Sequence, residues 1–251
     1  MKHEKFHYKQ LDELQVKLNE LDVTLPLSEN MDVLHREVQI GSKICANSIA
    51  IQPMEGCDGT ADGCPDALTL RRYDRFARSG AGLIWAEAVA VVEEGRANPR
   101  QLWLHEENLA AFQKFVADIK ETCMKENGFE PVVIMQATHS GRYSKPHGAP
   151  APLIAYNNPI FEGDNPIPSD RILSDDYLMA LEEKFGEAAK LAERAGFDGV
   201  DIKCCHRYLN SELLSAYTRE GAFGGSPENR TRLLRHGVKN AMDATGKDFI
   251  V

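Results

Sequence analysis

Apolar positions from residue 40 onward alternate between two spacings. Four short runs are nearly continuous in apolar residues: 49–54, LIWAEAVAVV over 83–92, PVVIMQ over 131–136 and FDGVDI over 197–202. Such runs predict strands buried on both faces. Between them lie longer stretches with helical spacing over 66–79, 107–125, 174–195 and 226 to about 245. The second carries Leu109, Phe112, Phe115, Val116 and Ile119 on one side. Punctuation agrees with the spacing: Ser174 is placed to cap a helix that Gly196 closes, and Ser226 caps another with Pro227 at its first position. A further strand begins near residue 248.

Strands and helices alternating in this way imply a parallel α/β sheet with right-handed crossovers. Two architectures remain, a closed (β/α)8 TIM barrel and an open doubly wound sheet. Strand starts fall near 49, 83, 132, 198 and 248, whereas a barrel needs eight. The chain is therefore expected to cover the first half of a barrel, up to five strands, and to be incomplete at its C-terminus.

Two segments stand outside the alternation. Residues 1–39 are expected to form an N-terminal helical extension to the barrel part, 40–251, because Leu11, Leu14, Leu18 and Leu21 make one short apolar stripe. That helix packs on the outside of the main domain or pairs in a dimer, and the stripe is short for a coiled coil. Residues 137–173 contain six prolines and no sustained period, which suggests a functional loop or lid.

A net charge of -9 disfavours a general role on nucleic acid or anionic membrane. With no apolar run long enough to cross a bilayer and no secretory leader pattern, the expected address is cytoplasmic, with its six cysteines reduced. No metal-ligand spacing is present. The P-loop, GxGxxG, HExxH and GxSxG patterns are missing too, which lowers the prospects of those enzyme classes.

Candidate chemistry gathers where strands end. Gln136 and His139 follow the third strand, and a glutamine amide offers both donor and acceptor to a heterocycle edge. Lys203, His206 and Tyr208 share the short loop after the strand at 198–202. Lysine and histidine can donate to a developing enolate oxygen, and a tyrosine hydroxyl can protonate carbon. The competing reading is a solvated loop with a tyrosine packed by its ring. Cys204 and Cys205 read as small buried residues. Gly224-Gly225-Ser226 suits an anion cradle or an ordinary cap, and Arg230 and Arg232 suit neighbouring carboxylates or carbonyls.

These segments together resemble the Old Yellow Enzyme family of FMN-dependent NAD(P)H:flavin oxidoreductases, in its 2,4-dienoyl-CoA reductase and 2-enoate reductase branch. The likeness rests on NSIAIQPM (47–54), GAGLIWAE (80–87), QATHSGR (136–142), AGFDGVDIKCCHRYL (195–209) and GGSPENR (224–230), in that order. The resemblance implies a (β/α)8 barrel with FMN across the strand ends. It makes Pro53, Met54, Glu55, Ala86 (or its neighbour Glu87) and Gln136 the cofactor-binding positions, and Tyr208, His206 and Lys203 the catalytic ones. It implies hydride transfer from NAD(P)H through flavin to an activated alkene on an α,β-unsaturated carbonyl or carboxyl compound. Alternatives are demethylation or another oxidation, or a non-catalytic barrel used for binding or assembly. Partners would be a small-molecule substrate and a second copy of the chain; an iron-sulfur cluster is not supported within these residues.

Three positions depart from the family pattern. Lys203 stands where histidine is usual, and could favour an enolate, prefer a carboxylate substrate or pair with an acid. Arg207 replaces a glycine before the tyrosine. Glu55 puts a carboxylate where a small or neutral residue is common.

Overall fold

The computed structural model describes residues 4–251. Two helices, α1 (Leu11–Glu20) and α2 (Asp32–His35), lead into an antiparallel hairpin, β1 (Val38–Ile40) and β2 (Lys43–Cys45). There follow β3 (Ala50–Ile51), α3 (Ala67–Arg78), β4 (Leu83–Ala90), α4 (Leu109–Asn127), β5 (Val132–Thr138), α5 (Pro159–Glu162), α6 (Asp175–Ala195), β6 (Gly199–Ile202), α7 (Leu209–Leu213), α8 (Pro227–Arg230) and α9 (Arg232–Ala244). Strands β3, β4, β5 and β6 pair in chain order, all parallel. A parallel bridge from Gly199 to Ile250 starts a fifth strand at the β6 edge.

Register sorts the strand residues onto two faces, because side chains directly paired across a sheet share a face. One face, with Ile84, Val133, Met135 and Val200, packs in a large cluster with residues of α3, α4, α6 and α9. The other face carries Leu83, Trp85, Val132, Ile134 and Ile250, which cluster with Val38, Ile40 and Cys45 of the hairpin. Helices over one face and an apolar second face make the wall of a barrel; a doubly wound sheet would carry helices on both. The hairpin plugs the end of the barrel where the strands start. At that same end Asp198 meets Lys43 at 3.2 Å and Lys120 at 2.9 Å, and accepts the Val133 amide.

Local chemistry explains the boundaries. Ser174 accepts the Tyr177 amide, and Gly128 and Gly196 close α4 and α6 with positive φ. The stretch expected as one helix from Ser226 is divided at Thr231 into α8 and α9. The strand read over 49–54 shortens to two residues, since Gln52 onward turns into the site. Of the four leucines of the N-terminal stripe only Leu18 is buried, and Leu21 is exposed.

The proline-rich segment is anchored rather than loose. Ile154 and Ala155 are fully buried, Ile154 bridges to Ile172, and Arg219 donates to the Ala155 carbonyl at 2.5 Å.

Candidate active site

The barrel interior changes character at its last paired row. Ala88 pairs with Gln136, and Gln136 with Asp201, so these three side chains share the inner face above the apolar layers. Gln136 Nε2 donates to Asp201 Oδ2 at 2.7 Å. Above this row the chain leaves β6, with Lys203 fixed at both ends of its peptide: its amide donates to the Ala137 carbonyl at 3.0 Å and its carbonyl accepts Asn210 Nδ2 at 3.1 Å.

Lys203 is 6% exposed, and its Nζ lies 4.3 Å from the centre of the Tyr208 ring. Tyr208 donates its hydroxyl to Glu55 Oε2 at 3.4 Å. The His206 ring stands edge-on to Tyr208 at 6.4 Å and is itself exposed. Two strand ends thus meet, Glu55 after β3 and Lys203 with Tyr208 after β6, while Gln136 lies on β5 in the row paired with Asp201 of β6. Burial pushes the Glu55 carboxyl up, against the pull of the Lys203 charge. Burial and then the Glu55 charge push the Tyr208 phenol up, so it holds its proton.

The loop from Glu55 to Asp58 is held by a buried ion network. Glu87 accepts the Gly56 amide at 2.8 Å and meets Arg72 at 2.5 Å, and Arg72 reaches Asp58 at 2.5 Å. Burial raises the Glu87 carboxyl. Glu87 reaches this loop because β4 bulges between Trp85 and Ala88, where one extra residue enters the register. The same bulge leaves Ala86 in the helix-side cluster and sets Ala88 beside Gln136. Ala86 therefore does not join the other candidates, whereas its neighbour Glu87 braces Gly56.

His206 and Arg207 both adopt the left-handed region, with φ of 56° and 55°. That conformation favours glycine and costs a side-chain-bearing residue about 1–2 kcal/mol. The Arg207 position, where the resemblance leads one to expect glycine, is thus a place where the backbone asks for it. Arg207 stacks on Phe161 at 4.6 Å and Tyr143 at 5.9 Å. Phe161, on α5, is also covered by Arg142 at 4.9 Å, and Arg142 meets Glu162 at 2.6 Å and Glu212 at 2.5 Å. These contacts clamp the proline-rich segment against the β6 loop.

His139 is structural. It is fully buried, Gly141 donates its amide to Nδ1 at 3.0 Å, and Nε2 faces the Tyr177 hydroxyl at 3.0 Å, which donates to Glu94. Burial lowers its pKa to about 4. Gly141, at φ 58°, lets this loop approach Leu209, whose backbone nitrogen would lie 3.0 Å from an added Cβ. Cys205 is exposed and Cys204 half-buried, contrary to the expectation of two buried thiols; the loop has already left the sheet there. Pro53 is half-buried and Met54 is 69% exposed. Arg230 donates to the Gly225 and Leu214 carbonyls and Arg232 to Glu182, as their composition suggested.

Asp201, Arg142 and Asn210 were not singled out from sequence, and Glu87 was named only as the alternative to Ala86. A polar residue in phase with Gly199 on an otherwise apolar strand was the available signal for Asp201; the others depend on a bulge and on loop packing.

A family model described as NADH:flavin oxidoreductase / NADH oxidase family matches residues 34–251. A curated NADPH dehydrogenase of Clostridium acetobutylicum is 29% identical over 204 residues, 80% of this chain and 57% of its own length. An NADPH dehydrogenase of Bacillus pumilus is 33% identical over 185 residues, 72% of this chain and 51% of its own. The chain spans about half the length of these relatives. Among solved structures, the Old Yellow Enzyme homologue from Zymomonas mobilis superposes with a TM-score of 0.72 at 24% identity, over 86% of this chain and 61% of that one, and its fold is shared.

Proposed function

The chain belongs to the NADH:flavin oxidoreductase / NADH oxidase family, and from that premise we propose that it acts in an FMN-dependent reductase of activated alkenes. The observation that carries this reading is the cluster of Glu55, Tyr208 and Lys203 at the strand ends, with Gln136 on the inner face of β5 in the last paired row. FMN fits the donor set. The Gln136 amide can meet a pyrimidine edge, and Met54 is an exposed apolar side chain that a flat ring would cover. Pro53, Met54, Glu55 and Gln136 would line the flavin; Ala86 would act from behind the sheet, through the strand that holds Glu87.

Held by Pro53, Met54, Glu55 and Gln136, FMN would supply the redox chemistry, with NAD(P)H as reductant and the β-carbon of an α,β-unsaturated carbonyl or carboxyl compound as hydride acceptor. Lys203 and His206 hold the activating oxygen, where negative charge grows; one such donor is worth about 2.7–4 kcal/mol. Tyr208 Oη gives its proton to the α-carbon. His206 sits with Arg207 in a left-handed turn between Lys203 and Tyr208, which supports a shared role for the loop. A cytoplasmic location and a homo-oligomeric state belong to the same proposal; among the described residues no helix is long and apolar enough to cross a membrane.

The test is FMN titration of the full-length protein, followed by flavin absorbance. Saturable binding that weakens in Gln136→Ala is expected. A folded protein that binds no FMN refutes the reading.

A further inference from the structure

The cysteines of this chain differ in their surroundings. Cys45 and Cys123 are buried. Cys57 and Cys64 donate to Glu55 and Asp62 at 3.6 Å and 3.5 Å. Burial and then those acids push both thiols up, Cys57 to about 11, so they keep their protons. Cys204 and Cys205 are adjacent in sequence, on the loop that runs from Lys203 to Tyr208. Cys204 is half-buried and Cys205 is exposed. This side-by-side pair has no part in the proposed reaction.

We propose that Cys204 and Cys205 form a reversible oxidation site, a vicinal dithiol that a small disulfide of the glutathione class closes into a ring, and that the closed ring withdraws Tyr208 from the site. The effect on turnover rests on the reaction proposed above; the ring itself does not. Exposed Cys205 attacks the small disulfide as its thiolate and releases one thiolate from it. The Cys204 sulfur then gives up its proton, attacks the Cys205 sulfur and releases the second. Two electrons pass from the cysteine pair to the small disulfide, which leaves as two thiols carrying the two protons. Lys203 and Arg207 flank the pair and attract an anionic disulfide such as oxidised glutathione.

The backbone explains why closure is both reversible and felt at Tyr208. The peptide between the two cysteines is trans. Their Cα atoms are therefore about 3.8 Å apart, closer than the roughly 4.4–6.8 Å that disulfides ordinarily span. Such a ring is strained, and strain makes it easy to reduce. The ring also fixes ψ of Cys204 and φ of Cys205, the torsions that lead the chain away from Lys203. Lys203 itself is anchored, with its amide on the Ala137 carbonyl at 3.0 Å and its carbonyl on Asn210 at 3.1 Å. The displacement passes forward instead. It reaches the Cys205 carbonyl, which accepts the Tyr208 amide at 3.1 Å across the left-handed residues His206 and Arg207. Closing the ring opens the turn that seats Tyr208.

The experiment treats the full-length protein with excess oxidised glutathione, alkylates the thiols that remain and digests with trypsin. Cleavage after Lys203 and Arg207 releases a short peptide, 204–207. Its mass should be lower by two hydrogen atoms and it should carry no alkyl group, and dithiothreitol should restore alkylation of both cysteines. Cys204→Ser should carry a glutathione adduct on Cys205 instead, and Cys57→Ser should close the ring as wild type does. In the flavin-loaded protein, closure should slow alkene reduction by about tenfold or more, because misplacing a reacting group by about 1 Å costs up to about 10²-fold. Cys205→Ser should keep its rate in the oxidant. A glutathione adduct that persists on wild-type Cys205, a bridge from Cys205 to Cys57, or two alkylated cysteines after oxidation overturns the ring. A closed ring with unchanged alkene reduction overturns its coupling to Tyr208. A protein that closes the ring but binds no FMN sinks the proposed reaction and leaves the oxidation site standing.

Discussion

Replacing His139 with glutamine should flatten the acid limb of the protein's stability. His139 is fully buried, and the Gly141 amide already points at its Nδ1 from 3.0 Å. A proton on Nδ1 would set two donors face to face in an apolar setting, and burial accordingly lowers the folded-state pKa from 6.5 to about 4. Because the folded pKa is depressed, the contribution is fully present above the unfolded value and is lost as pH falls from 6.5 toward 4. At one pK unit per 1.36 kcal/mol the loss approaches about 3 kcal/mol at the low end, and is about 2 kcal/mol at pH 5. Glu212, whose carboxyl burial pushes up to about 7, works with the opposite sign, its contribution present below the ordinary carboxylate value and lost as pH rises through about 7. Only the difference between wild type and variant therefore isolates His139. The assay is urea unfolding of both proteins at about pH 7 and pH 5, comparing the two changes in unfolding free energy. If His139→Gln lost as much stability as wild type over that interval, the account of His139 as a buried neutral imidazole would fail.

Three further outcomes follow from the geometry. On the proposed reaction, Tyr208→Phe should slow alkene reduction by about 10²–10⁴ while leaving flavin reduction by NAD(P)H near wild type, which stopped-flow measurement of the two half-reactions separates. Gly199→Ala would bring a Cβ within 2.6 Å of the Ile250 carbonyl and 2.7 Å of Ile134, and should cost about 1–3 kcal/mol, read as a lowered Tm. Arg207→Gly relieves left-handed strain but gives up the stacking on Phe161 and Tyr143, terms of similar size, so stability should stay within about 1 kcal/mol of wild type by chemical denaturation; a loss of twice that would show that the stacking carries more than a surface contact should.

The sequence by itself determined the order of strands and helices from residue 49 on, because apolar periodicity and capping residues act within a few positions of themselves. It also pointed to Gln136, Lys203, His206 and Tyr208 as a group at strand ends. What it could not show are features set by neighbours distant in the chain. The hairpin at 38–45 exists because the strand starts need an apolar plug, and its own residues alternate too briefly to announce it. A single bulge, decided by how β4 lies on β5, sends Glu87 rather than Ala86 to brace the Glu55 loop. The segment 137–173 lacks any period of its own and is ordered by Arg142, Arg219 and the bridge between Ile154 and Ile172. The choice between barrel wall and open sheet was likewise tertiary, since both need the same alternation and differ only in which face the helices cover. Lys203 shows the division most clearly: its identity is written in the chain, but its burial against the Tyr208 ring, whose hydroxyl meets Glu55, depends on the loops after β3 and β6 meeting above the barrel.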